Sequence, residues 1–76
     1  MDKLGERIRE ARQRKGWSQT ELARVSGVGR SLIANVEHGR KSMSLKSARA
    51  IARALGVSID FLAGTFEDSG IRAAVA

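Results

Sequence analysis

Five glycines, Gly16, Gly27, Gly39, Gly56 and Gly64, each stand directly after a segment whose apolar residues recur at helical spacing. A glycine in that place commonly ends a helix by taking the left-handed conformation. The chain has no proline, and no segment alternates apolar and polar residues as a half-buried strand would. The punctuation therefore predicts helices over about 2–15, 19–26, 30–38, 45–55 and 58–63. The expected fold class is all-α.

At 76 residues the chain has room for one domain. A domain this small buries only about 60% of the surface of its unfolded chain, so its core needs help from a disulfide, a metal or a partner subunit. With no cysteine and His38 as the one histidine, neither a disulfide nor a thiolate or histidine-rich metal site is open to it. No metal and no cofactor are expected, and a homodimer is. The N-terminal run MDKLGERIRE is charged and does not look like a signal peptide. No apolar stretch approaches the roughly 20 residues of a membrane span, so the expected setting is cytoplasmic, with no membrane partner.

Each helix has its own logic. The first places Leu4, Ile8 and Ala11 on an inward stripe and puts Arg7, Arg9, Arg12, Arg14 and Lys15 on its other face, partly balanced by Glu6 and Glu10. The second opens with Ser18 and Glu21 at capping-box spacing and carries Leu22, Ala23 and Val25. Ser44 is placed to cap the fourth, with Ala48, Ile51, Ala52 and Leu55 inward. Ser58 is placed to cap a short fifth carrying Phe61 and Leu62, with Asp60 in its first turn.

Charge supplies the first functional indication. The net charge is +6. Thirteen basic and five acidic residues lie between Met1 and Ser58, whereas the remainder holds Arg72 against Asp60, Glu67 and Asp68. A basic body with a mildly acidic end suits a polyanion partner. Helix 3 sharpens this. At about 100° per residue, Leu32, Ile33 and Val36 share one side, and Arg30, Ser31, Ala34, Asn35 and His38 occupy the other. That outer face holds small and hydrogen-bonding residues without a carboxylate, whereas a merely solvated face would mix Glu and Lys.

The run from Ser18 to Gly39, SQTELARVSGVGRSLIANVEHG, resembles the helix-turn-helix of the lambda/434 phage-repressor and Cro superfamily, also called Xre-type regulators. The run from Ala50 to Leu62, AIARALGVSIDFL, is similar to the last two helices of that family, and the resemblance covers about residues 3–64. It implies a compact five-helix lambda-repressor-like domain over 1–64, with its helix-turn-helix at about 18–39, and a C-terminal tail over 65–76. It also implies a recognition helix at about 30–38 that enters the major groove N-terminus first, the docking described for these repressors.

By the resemblance, Arg30 and Ser31 align with the principal base-contact positions. Arg30 has the fork to donate to guanine O6 and N7, or alternatively to meet a phosphate; Asn35 has the amide to pair with adenine, or to touch backbone or water. Ala34 offers a methyl-sized surface for a thymine methyl, or simply a gap. Gln19 aligns with a phosphate-bonding position beside a helix N-terminus. Arg40, Lys41 and Ser42, in the loop after helix 3, are further phosphate candidates, the alternative being solvated loop charge. Arg12 and Glu37 align with an internal ion pair. Trp17 is assigned to the core. Gly29 departs from the family, where Ser or Thr often caps helix 3, and Leu32 replaces a smaller polar residue, so that core or a neighbouring subunit both remain open for it.

The tail carries Phe66, Ile71, Ala74 and Val75 without an evident core to join. A short sixth helix and a frayed end are both compatible with it. Since relatives dimerise through their last helix, Phe61, Leu62, Phe66 and Ile71 are the expected interface residues. The function implied is a double-stranded-DNA-binding transcriptional regulator on a pseudo-palindromic operator. Its sub-type is a phage-type repressor, a restriction-modification controller or an antitoxin, with RNA polymerase or a toxin as an additional protein partner left open. The alternative is an anti-repressor-like protein-interaction module on the same fold. An enzyme is not expected: the sequence offers no Cys nucleophile, His–Asp–Ser set or phosphate loop.

Overall fold

The computed structural model describes residues 4–63, and these form five helices. They are α1 (Leu4–Arg14), α2 (Gln19–Ser26), α3 (Arg30–Glu37), α4 (Leu45–Leu55) and α5 (Ile59–Ala63). Every expected helix is present, with ends shifted by no more than the usual fraying. The expected sixth helix, together with Phe66 and Ile71, lies outside the described residues.

The ends follow the residues that sit there. Ser18 Oγ accepts from the Glu21 N–H, Ser44 Oγ from Ser47 and Ser58 Oγ from Phe61, at 3.0, 3.2 and 3.0 Å. The expected capping box is only half made, because the Glu21 carboxylate turns to Arg24 instead of back to Ser18. Three helices stop in one way. At α1, α3 and α4 the residue after the glycine donates back to the carbonyl five positions earlier: Trp17 to Arg12, Arg40 to Asn35, and Val57 to Ala52. The glycine N–H meanwhile bonds a carbonyl three positions back, completing a Schellman motif.

α2 stops differently. The Gly27 N–H reaches the Ala23 carbonyl at 2.8 Å, and the Val28 N–H is taken by the Ser26 hydroxyl at 3.1 Å. The chain is thereby released forward after one left-handed residue, Gly27 at φ +79°, and Val28 drops into the core, 8% exposed. Gly29 follows in extended backbone and α3 begins. This is the tight turn that sets α3 across α2.

The core is built from Ile8, Leu22, Ile33, Val36, Ile51 and Leu62, each fully buried. Leu4, Trp17, Leu32 and Phe61 pack against it while half-buried. Leu32 thus belongs to the core margin, and Trp17 closes the core with the Lys15 ammonium 5.1 Å from its ring centroid.

Three expectations require correction. Leu62 was expected at a dimer interface but is wholly buried, leaving no side-chain surface for a partner. Val25, expected to be a core residue of α2, is 42% exposed. Arg7 is not on a solvated face: it is half-buried, its guanidinium 5.5 Å from the Phe61 ring centroid and its Nε buried without a hydrogen bond. Arg12, on the same helix, turns inward as its expected internal ion pair requires, with a side chain only 12% exposed.

Gly5 was not singled out by the sequence, yet it decides how α1 meets α3. A Cβ built there would overlap the Val36 carbonyl oxygen and stand 2.8 Å from Glu37 Cα.

Candidate nucleic-acid interface

The first turn of α3 presents Arg30 and Ser31, both exposed, while Ala34 and Asn35 follow half-buried one turn later. Ile33 and Val36 pin the helix from behind. The four expected base-contact residues therefore share one outer face. The Asn35 side chain donates from Nδ2 to the Ser31 carbonyl at 2.9 Å. That bond uses one amide hydrogen and leaves the second hydrogen and Oδ1, the pair that adenine recognition requires.

The back end of α3 is held by a buried carboxylate. Glu37 accepts from Arg12 Nε at 2.8 Å and Nη2 at 2.9 Å, and from Gln19 Nε2 at 3.1 Å. Arg12 Nη1 also donates to the Trp17 carbonyl at 2.8 Å. One acid so joins α1, the start of α2 and the end of α3. The hydrogen bond from Arg12 to Glu37 raises the guanidinium pKa, and the attraction of the carboxylate adds to this against the cost of burial. The expected Arg12–Glu37 pair is present. Gln19, expected on a phosphate, gives one amide hydrogen to Glu37, which no sequence signal foretold because the two lie eighteen positions apart. Among the described residues its second hydrogen stays unused, as do the backbone N–H groups of Gln19 and Thr20, since Ser18 takes that of Glu21.

Arg40, Lys41 and Ser42 are exposed in the loop between α3 and α4, which half-buried Met43 anchors. Charge is sorted by region. Glu10 pairs with Arg14, and Glu21 with Arg24, on α1 and α2. Both partners of the second pair shift as the bond requires, the Glu21 pKa downward and the Arg24 pKa upward. From Arg30 to Arg53 the sole carboxylate is Glu37, which is buried and already bonded. Arg30, Arg40, Lys41, Lys46, Arg49 and Arg53 are all exposed there, and among the described residues none forms an ion pair. The segment from α3 through α4 thus presents exposed cations with no exposed acid of its own to oppose them. No helix among the described residues is long and apolar enough to cross a membrane.

Comparison with known proteins agrees with this geometry. The helix-turn-helix family profile matches residues 8–62. The immunity repressor protein of Bacillus phage phi105 is 33% identical over 61 residues, covering 80% of this chain and 42% of that protein. An uncharacterised HTH-type transcriptional regulator of Methanothermobacter thermautotrophicus is 53% identical over 49 residues, 64% of this chain and 71% of that protein. The crystal structure of the restriction-modification controller protein C.AhdI from Aeromonas hydrophila superposes with a TM-score of 0.75 at 42% identity, covering 79% of this chain and 91% of that one. Against several of its relatives, among them the phage repressor and a prophage regulator of Bacillus subtilis, the chain spans about half their length. The chain belongs to the helix-turn-helix family of the Xre, lambda-repressor-like type.

Proposed function

We propose that this chain is a sequence-specific, double-stranded-DNA-binding transcriptional regulator, acting in the cytoplasm on the nucleoid. α3 lies in the major groove. Arg30, Ser31, Ala34 and Asn35 meet base edges, while Gln19, Arg40, Lys41 and Ser42 meet phosphates. The observation that carries the reading is the surface from Arg30 to Arg53, whose cations are exposed and unopposed by any free carboxylate. An interaction module that bound protein with the same helices would not need such uniform charge.

A homodimer places two copies of α3 one DNA turn apart, roughly 34 Å, over a pseudo-palindromic operator. Phe61, which is half-buried beneath Arg7, and the apolar residues Phe66 and Ile71 are its interface candidates. Of the relatives named above, the controller protein is the one matched over most of its length, 91%. That favours the restriction-modification controller over the phage-repressor and antitoxin sub-types.

Selection of bound sequences from a random duplex pool tests the reading. The expected product is an inverted repeat with half-site centres about 10 base pairs apart. Retention of no duplex at low ionic strength would exclude it.

A further inference from the structure

Helix α4 carries Lys46, Arg49 and Arg53 at i, i+3 and i+7 and contains no carboxylate. All three are exposed, and among the described residues none has an ionic partner. Its buried residues Ala48, Ile51, Ala52 and Leu55 fix the inward side, so the three cations share the outward face with Ala50. Elsewhere in this protein exposed helix faces pair opposite signs, as Glu10 does with Arg14 and Glu21 with Arg24. Like charges a turn or two apart repel, and α4 tolerates three of them.

This face runs into the helix-turn-helix. A shallow depression of about 450 Å³ lies among Leu45, Lys46, Arg49, Ala50 and Arg53. A second, of about 420 Å³, lies between the turn at Gly27–Gly29 and the same Lys46 and Ala50. The two share a wall, so the α4 stripe is continuous with the turn that delivers Arg30.

We propose that the α4 stripe is a second, sequence-independent DNA contact, gripping the sugar–phosphate backbone that flanks the half-site read by α3. The proposal rests on the DNA-binding reading above and extends it to three cations to which that reading assigns no contact of their own. Two helical turns separate Lys46 from Arg53, about 10 Å. Phosphates recur every 3.4 Å or so of axis along one strand, and because that strand also winds around the axis its neighbouring phosphates stand about 6–7 Å apart, so the stripe spans about two of them. Ala50 between the cations leaves room for the backbone to approach. The stripe offers point charges and forks without an Asn or Gln amide, a set suited to positioning and not to base discrimination.

The test compares two duplexes, the selected bases alone and the same bases extended at each end by about one helical turn of mixed sequence. For the unaltered protein, the log–log dependence of affinity on salt steepens on the extended duplex by about 0.9 for each added phosphate contact, hence by about 2 per protomer. The variant K46Q/R49Q/R53Q loses that steepening, whereas R49K/R53K retains it. Arg30→Ala weakens binding to both duplexes and keeps the steepening. Circular dichroism establishes that each variant is folded. Equal slopes for the unaltered protein on both duplexes, or undiminished steepening in the triple Gln variant, would overturn the α4 contact and leave the α3 reading intact. Failure of the unaltered protein to bind either duplex at low salt would overturn both.

Discussion

Gly5 sits where the first turn of α1 lies against the last turn of α3, and its missing Cβ is the space that the Val36 carbonyl fills. In an unconstrained helix, Gly→Ala adds up to about 1 kcal/mol of stability. Here the methyl group meets backbone, and overpacking of that kind costs about 1–3 kcal/mol. Gly5→Ala is therefore expected to lower the urea midpoint; a raised midpoint would show that α1 shifts aside freely. A second pair of substitutions separates the two kinds of DNA contact. Arg30→Ala is expected to relax base preference at one position of each half-site, by about 1–3 kcal/mol of discrimination, while Lys41→Ala weakens binding to all duplexes about equally. Affinities measured on a panel of single-base operator variants check both, and identical losses on every duplex would show that Arg30 reads no base.

Among the elements, α3 is unlike its neighbours at the start. α2, α4 and α5 each begin with a serine whose hydroxyl accepts a backbone N–H, whereas Gly29 gives α3 no side-chain cap. Gly29 lies in extended backbone, and a Cβ there would meet open space. Gly29→Ser is therefore expected to stabilise the fold by about 0.5 kcal/mol from the cap and the stiffer unfolded chain. For a domain of this size that raises the melting temperature by about 2–4 °C, measurable by thermal denaturation. The helices themselves were legible because glycine, serine and the 3.6-residue period all mark the same boundaries. What the period does not carry is distance between turns. Nothing in the local pattern distinguishes the exit of α2 from the Schellman ends of α1, α3 and α4, since Gly27 looks like Gly16, Gly39 and Gly56. Leu62 falls among the expected interface residues because the resemblance assigns dimerisation to the last helix, and the five residues of α5 give too short a stretch to show that its side chain is core. The Arg12–Glu37 pair was legible only through family resemblance, and the Gln19 bond to the same acid not at all.

At the scale of the described residues, the exposed acids lie on α1, α2 and α5, and the region from α3 through α4 is left positive. Glu37 joins these two arrangements, because it withdraws the last carboxylate of that region from the surface while fastening three helices together. Glu37→Gln keeps the shape but strands the Arg12 charge, whose side chain is only 12% exposed. Leaving a buried charge uncompensated costs about 3 kcal/mol, a large share of the 5–15 kcal/mol typical of whole domains. Chemical denaturation of this variant is expected to show that loss, and a cost below about 1 kcal/mol would mean that Arg12 finds water instead. The same bonds also make α3 unequal along its length. Its rear is roped to two other helices, while its tip starts from a bare glycine. In the free protein, deuterium should therefore replace the amide protons near Ser31 sooner than those near Val36, and a bound operator should even out the contrast. On the proposed reading, the end that meets the bases would then gain its firmness from the DNA, so that a poor sequence is penalised twice, by missing contacts and by a slack probe.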